Sequence, residues 1–425
     1  MVIVTSPAPP DTETLQAVEA HDRAGDPEAA LALLEQAIAT APDIARYHRR
    51  AWTLLRQLRR YDEALTAARR AAALAPGDAT AFADLAAAHG CLREVAAMRA
   101  AAEQAIALDP ALPAAHFARA AALLVDGDFA EGWQEYEWRL RLPGTAGGIP
   151  PDDWPRWDGT PIPNGRLLLF ADQGRGDIIQ FARYIPWAAA RCRELALCCP
   201  GEMWPILRQF PELHHLVAEW HHAPPCDCFA PLGSLPMLAE TRLDSIPAPI
   251  PYLRADPARA ATWRERLDAM LPRGYRRVGL IWSGNSAHTG DLERSASLAQ
   301  FAPLASRPNI ALVALQQGPA LSQAARYFGR APLLNLGPEL HGFGDTMAVL
   351  DALDLLVTVD TGVAHLAGAM GRPVWMLLPF APDWRWLLDR DDSPWYPTLR
   401  LFRQPRPGAW EPAVTQIVTA LRRRA

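Results

Sequence analysis

Three stretches bring together the residue types that bind and move charged groups. In Gly174-Arg175-Gly176-Asp177 a carboxylate follows two glycines. Glycines let backbone approach closely, and the first amides of a following helix can receive an anion or an acceptor oxygen. Asp177 then reads either as a base or as a carboxylate favoured by the helix dipole. The second stretch, WSGNSAHTGDLERS at 282–295, crowds Ser283, Asn285, His288, Arg294 and Ser295 into one loop. Guanidinium forks suit phosphate oxygens, and hydroxyls and amides complete the cradle; a solvated polar loop is the alternative. The third, VTVDTGVAHLAGAMG at 357–371, places Asp360, Thr361 and Gly362 in a turn between an apolar strand and a small-residue helix. That helix start suits a diphosphate, with His365 one turn in, where a packed core histidine is the plainer reading.

A fourth stretch, DWRWLLDRDDSPWYP at 383–397, holds Arg385 among Trp384, Trp386 and Trp395. Asp389-Arg390-Asp391 has the form of a metal-binding Asp-x-Asp, but no strand end leads into it. It reads instead as a loop at a cleft mouth or a lock between domains, with Asp391 and Asp392 the alternative contacts to a sugar or ribose hydroxyl.

The elements that must position these loops alternate. RLLLF, LALCC, RVGLI, ALVAL, DLLVTV and PVWMLL are short apolar runs separated by helical stretches. That order implies parallel sheets covered by helices, whose loops at the strand C-termini carry ligands. Two such units are expected, 166–255 and 276–425, joined by the proline-rich IPAPIPYLRADPA. Before them, 142–165 is dense in Gly and Pro and reads as a linker.

The first third repeats. Pro42, Pro76 and Pro110 recur every 34 residues, closing AIATAPD, AAALAPG and AIALDP. This is the period of a tetratricopeptide repeat. Ala37, Ala71 and Ala105 share one position, and Ala30, Ala64 and Met98 another, where slim side chains let paired helices approach. Gly25-Asp26 makes the first turn, and Arg59-Arg60 replaces that glycine in the second unit. A fourth, atypical unit carries a GDF turn read as offset by two residues, followed by Trp133, Tyr136 and Trp138. The solenoid is therefore expected over 11–141. Its concave face would bind a polypeptide, or the repeats would serve as a spacer or dimerisation arm.

Composition excludes several chemistries. All 42 cationic residues are arginine, so a P-loop lysine, a Schiff-base lysine and a kinase strand lysine are ruled out. Net charge is −5 without a basic, aromatic-interleaved stripe, which argues against nucleic acid as a partner. No apolar run reaches a membrane span, and MVIVTSPAPPDTET has no basic or apolar leader pattern, so a cytoplasmic protein is expected. Six cysteines show no disulfide framework; His221, His222, Cys226 and Cys228 would suit zinc only if their loop folded back, and reduced structural thiols are expected.

Taken together, GDFAEGWQEYEWRL, PRWDG, QGRGDIIQFARYIP, PLGSLP, VGLIWSGN…RS, DTGVAHLAGAMGRPVW, PFAPDWRWLLDRDDSPWYP and RLFRQ resemble bacterial tetratricopeptide-repeat glycosyltransferases. Their catalytic half is similar to GT-B enzymes of the heptosyltransferase type, glycosyltransferase family 9. The layout is also similar to protein O-GlcNAc transferases. The resemblance implies an α-solenoid followed by a GT-B fold of two Rossmann-like doubly wound domains. It implies sugar transfer from a nucleotide-activated donor with no metal or other cofactor. It carries the general base onto Asp177 and the diphosphate grip onto the backbone of Thr361, Gly362, Val363 and Ala364, beside His365 and Asp360. Asn285 and Arg294 match the loop after the first C-terminal strand. The sequence departs in having Arg175 between Gly174 and Gly176, and Ser286 after Asn285.

The expected activity is transfer of a sugar to a protein acceptor held by the repeats. Similar proteins point to flagellin with a nonulosonic acid donor, hence a CMP-sugar. The alternatives are an enzyme of lipopolysaccharide or exopolysaccharide assembly, and a non-catalytic repeat adapter.

Overall fold

The computed structural model describes residues 10–143, 150, 154–247, 249–286 and 290–422. The chain divides into two compact units, before and after the 126/127 bond.

The first unit is a run of antiparallel helices, Pro10–Arg23, Pro27–Thr40, Ala45–Gln57, Tyr61–Leu74, Ala79–Cys91, Val95–Leu108 and Pro113–Val125. It is the helical repeat array the 34-residue period predicts. Ala30, Ala64, Ala71 and Ala105 are fully buried where paired helices meet. One further repeated device was not read from the sequence. His48 Nε2 lies 2.7 Å from the Pro42 carbonyl and His116 Nε2 lies 3.0 Å from that of Pro110. Each buried imidazole thus engages the repeat proline's carbonyl.

The turns correct one expectation. Gly25, Arg59, Arg93 and Gly127 all have positive φ, at 81°, 58°, 59° and 85°. They are spaced by 34, so the GDF turn at Gly127 is in register with the first turn rather than offset. Two arginines occupy a conformation that glycine takes without steric cost. The chain keeps the turn because the helices on either side fix it.

The second unit holds two parallel sheets. The first has β1 (Ile162–Phe170), β2 (Cys192–Cys198), β3 (Leu213–Val217) and β4 (Cys228–Pro231) in the order β3-β2-β1-β4. The second has β5 (Arg276–Ile281), β6 (Ile310–Ala314), β7 (Leu333–Asn335), β8 (Leu355–Val359), β9 (Val374–Leu378) and β10 (Leu399–Arg403) in the order β10-β9-β8-β5-β6-β7. Every residue of β6, β8 and β9 is buried, as strands covered on both faces must be. The core of the C-terminal half packs Val278, Leu280 and Trp282 against Phe301, Trp375 and the final helix Trp410–Arg422. These are the two doubly wound α/β halves expected of a GT-B fold.

Two boundaries differ from the sequence reading. The stretch read as linker begins the sheet before its end. Trp157 N donates to Phe229 O at 2.8 Å, Trp157 is buried, and β1 starts at Ile162. The helix Phe129–Tyr136, read as the end of the repeats, falls in the second unit. Its Trp133 donates to Thr241 O at 3.0 Å and meets Trp384 edge-on at 5.1 Å. Aromatic burial against the α/β halves outweighs its repeat-like sequence. Among the described residues no helix is long and apolar enough to cross a membrane.

Candidate functional site

In each sheet the chain reverses its direction of travel at one place. In the first sheet β1 lies between β2 and β4; in the second, β5 lies between β8 and β6. Crevices at the C-terminal ends of parallel strands, at such reversals, are where this kind of fold accepts ligands. The loop after β1 carries Gly174 to Asp177, the loop after β5 carries Ser283 to Ser295, and the turn after β8 carries Asp360 to Gly362. The three chemically suggestive stretches thus sit where topology opens the sheets.

Two helix starts meet at this place. The helix Arg175–Phe181 comes from the first half and Gly362–Ala369 from the second. A Cβ on Gly176 would lie 3.0 Å from His365 Cδ2 and 3.6 Å from Gly362 Cα. One on Gly362 would lie 3.6 Å from the Gly176 amide nitrogen. The glycines permit this close helix-to-helix approach.

Asp177 lies at the junction. Its carboxylate is ion-paired to Arg385 of the second half, and Arg385 also donates to Gln180 Oε1 at 2.5 Å and Asp383 Oδ1 at 2.8 Å. With its amide in the orientation that satisfies its neighbours, Gln173 donates to Asp177 Oδ1 and to Tyr136 Oη, both at 3.1 Å. Burial pushes the Asp177 carboxyl above its usual range; the Arg385 guanidinium opposes the shift. The side chain keeps a quarter of its surface open.

On the facing helix, Thr361 is the extended N-cap residue and its hydroxyl makes no cap to the helix. The Ala364 amide already donates to Thr361 O at 2.9 Å, so the outward amides at this start are those of Gly362 and Val363. Asp360 accepts from Trp386 Nε1 at 2.8 Å, and burial with the nearby Asp383 charge pushes its carboxyl up to about 6. His365 is buried, with Nδ1 3.0 Å from Tyr396 Oη and its ring 5.3 Å from that of Trp386. Burial, then the charges of Arg385, Arg183 and Arg294, hold its pKa well below the ordinary value, so the ring is neutral.

The loop after β5 supports rather than lines the site in part. Ser295 Oγ accepts from Gly284 N and donates to Asp291 Oδ1, both at 2.9 Å, while Ser283 Oγ lies 3.3 Å from Ser295 Oγ. Both hydroxyls are engaged within the loop. Gln316, at the end of β6, went unread in the sequence. Its Oε1 accepts from Trp282 N at 3.0 Å and Ser283 N at 2.9 Å, which fixes the loop's exit from β5. Arg294 stands close enough for its charge to act on Asp360 and His365. Asn285 is exposed, and His288 lies outside the described residues.

Residues 318–378 match the model of glycosyltransferase family 9 (heptosyltransferase). The matched segment lies within the second unit. The match spans the turn after β8 and the Gly362–Ala369 helix. Protein FlbA of Caulobacter vibrioides is 28% identical over 347 residues, covering 72% of this chain and 54% of that protein. The chain thus spans about half the length of this relative. Among solved structures, the E. coli ADP-heptose lps heptosyltransferase II is similar over 61% of this chain and 100% of its own, at 14% identity and TM-score 0.45. A Thermobaculum terrenum O-GlcNAc transferase mutant is similar over 87% of this chain and 83% of its own, at 16% identity and TM-score 0.34.

The fold does not bring every chemically suggestive group into this cleft. Cys226 Sγ lies 3.1 Å from Pro224 O, and burial pushes the Cys226 and Cys228 thiols up to about 11 and 12. Among the described residues the group sized for a cation is Glu219, His221 and His222, all exposed, and neither thiol belongs to it. In the 383–397 stretch, Asp392 is paired to Arg390 at 2.5 and 2.6 Å. Arg385 there does what an interdomain lock requires, and its flanking tryptophans were the signal available in the sequence.

Proposed function

We propose that this chain transfers a sugar from a nucleotide-activated donor to a hydroxyl of a protein acceptor. The observation that carries the proposal is the meeting of two helix starts, Arg175–Phe181 with its Asp177 and Gly362–Ala369, through Gly176 and Gly362. A carboxylate and an anion-receptive helix end stand on facing strand termini, across a junction only as wide as glycine contacts allow.

The amides of Gly362 and Val363, with Arg294 and the Asn285 loop, hold the donor phosphate without a metal. Asp177 takes the proton of the acceptor hydroxyl as its oxygen bonds to the anomeric carbon. The bond from that carbon to the phosphate oxygen breaks, and its electron pair leaves on the phosphate. A carboxyl raised by burial is the stronger base, which suits Asp177 to the step. The neutral His365 packs behind the helix start. The repeats present the polypeptide; in the finer form of this reading the acceptor is flagellin, the donor a CMP-linked nonulosonic acid and the compartment the cytoplasm.

Intact-mass analysis of candidate acceptors after incubation with UDP-, ADP- and CMP-sugars tests the proposal. A mass gain on a polypeptide is expected, and Asp177→Asn should abolish it while nucleotide binding persists. A gain confined to glycan acceptors would replace the protein acceptor with an envelope polysaccharide, and no gain on any acceptor would refute the transfer.

A further inference from the structure

The group nearest the proposed base is not a substrate pocket but a cation from the opposite half. Arg385 is nearly buried, its side chain only 8% exposed. Its fork is divided between Asp177 and Gln180 of the first half and Asp383 of its own loop. Its Cζ lies over the Trp384 ring, 4.2 Å from the ring centroid, and Trp384 in turn meets Trp133 and Tyr136 edge-on. The same guanidinium acts electrostatically on Asp360 and His365 at the helix start that receives the phosphate. Arg385 therefore pairs with one anion, the Asp177 carboxylate, while its charge reaches the helix start proposed to hold a second.

We propose that Arg385 is a positioning residue that clamps Asp177 while the donor site is empty and is drawn toward the donor phosphate when it fills, freeing the carboxylate to accept a proton. This rests on the glycosyl-transfer reading above.

Two anions compete for one cation. A buried carboxyl paired to a guanidinium is a weaker proton acceptor than the same carboxyl unpaired, because the cation opposes the upward shift of burial and occupies its lone pairs. A phosphate at Gly362 and Val363 presents more charge and more acceptor oxygens than one carboxylate. A planar guanidinium can pass between such partners without leaving the ring it stacks on. Release of the base is thereby tied to arrival of the donor.

The lysine-free sequence gives a direct readout. Trypsin cuts only after arginine here, and the peptide Gly176–Arg183 contains a single side-chain carboxyl, that of Asp177. The full chain is treated at pH 6 with a carbodiimide and glycine ethyl ester, which modify the protonated, accessible carboxyl, and the peptide is then quantified by mass. Loss of an opposite charge at this range raises a carboxyl pKa by at least one unit, so labelling should rise about tenfold or more. That rise is expected in Arg385→Gln without nucleotide, and in the wild-type protein with whichever of CMP, UDP or ADP binds. Arg385→Lys, which keeps a charge beside Asp177, should stay near wild type, as should Arg390→Gln on the surface.

Wild-type labelling in Arg385→Gln, with the variant shown folded by circular dichroism, would overturn the clamp. Labelling unchanged by a nucleotide whose binding is measured independently would overturn the release. If none of the three nucleotides binds, the donor reading fails and takes the release with it, while the comparison of Arg385→Gln with wild type still decides the clamp.

Discussion

Replacing Gly176 by alanine separates two reasons for a glycine in the first loop. If that glycine served only to admit a ligand, a methyl group there would leave the empty protein unharmed. It would even stabilise it by about 0.4–1 kcal/mol, because alanine loses less backbone freedom. The structure opposes this. The new Cβ would lie 3.0 Å from His365 Cδ2 and 3.4 Å from its Nε2. His365 cannot yield freely, since its Nδ1 is 3.0 Å from Tyr396 Oη and Trp386 closes one face. Overpacking of this kind costs about 1–3 kcal/mol, which after the backbone gain leaves a net loss of about 0–2.6 kcal/mol, centred near about 1.3 kcal/mol. Amide hydrogen exchange read on the peptides covering Arg175–Phe181 and Gly362–Ala369 should then speed up about tenfold in both helices. Gly174→Ala provides the contrast. Gly174 has φ −70°, so alanine fits the backbone, and its Cβ would meet Asp177 Oδ2 at 3.2 Å. That variant should keep exchange near wild type while displacing the carboxylate. Exchange in Gly176→Ala that is unchanged or slower in both helices would refute the description of a tight closure.

Three further outcomes follow from other parts of the molecule. Arg59→Gly and Arg93→Gly relieve a left-handed backbone in open turns; relief of about 1–2 kcal/mol less the entropic cost of glycine predicts a gain of about 0.5–1 kcal/mol each in urea unfolding. His365 binds a proton far less readily folded than unfolded, so its contribution to stability is present above about pH 6.5 and lost as pH falls below that. Its ring proton resonance should show no titration between pH 5 and 8. Gln316→Leu strands the Trp282 and Ser283 amides beside a buried position, and urea unfolding should record a loss of about 2–4 kcal/mol.

The layout was legible because it rests on periodicities. A 34-residue spacing of prolines and the alternation of five-residue apolar runs with helical stretches each admit few folds. The placement of the candidate site was legible where polar loops follow strand ends, as at Asp177 and at Thr361 to Val363. It was opaque where a residue's partner comes from far along the chain. Arg385 meets Asp177 across 208 positions and Gln316 meets Trp282 across 34, and no local pattern announces either. The turn at Gly127 was misread although its spacing was in plain view, because Arg59 and Arg93 hide the register that glycine would have shown. The helix Phe129–Tyr136 was assigned to the repeats because its sequence continues their rhythm. Its tryptophan and tyrosine find their burial in the α/β unit instead.

The absence of lysine has a consequence at this junction that a count of charges does not reveal. Arg385 engages Asp177, Gln180 and Asp383 along the edges of its fork while stacking on Trp384 with its face. An ammonium has three donors but no plane, and it can satisfy carboxylates only by giving up the ring contact. Arg183 repeats the arrangement beside it. Its guanidinium donates to the Trp395 carbonyl at 3.1 Å and lies 5.0–5.3 Å from the rings of Tyr252, Trp395 and Tyr396. The two halves are thus held at the cleft by arginines that hydrogen-bond across it and lie against aromatic rings. A lysine at either position would restore the charge and leave the aromatic surface unmatched, so the junction depends on the shape of the cation as much as on its sign.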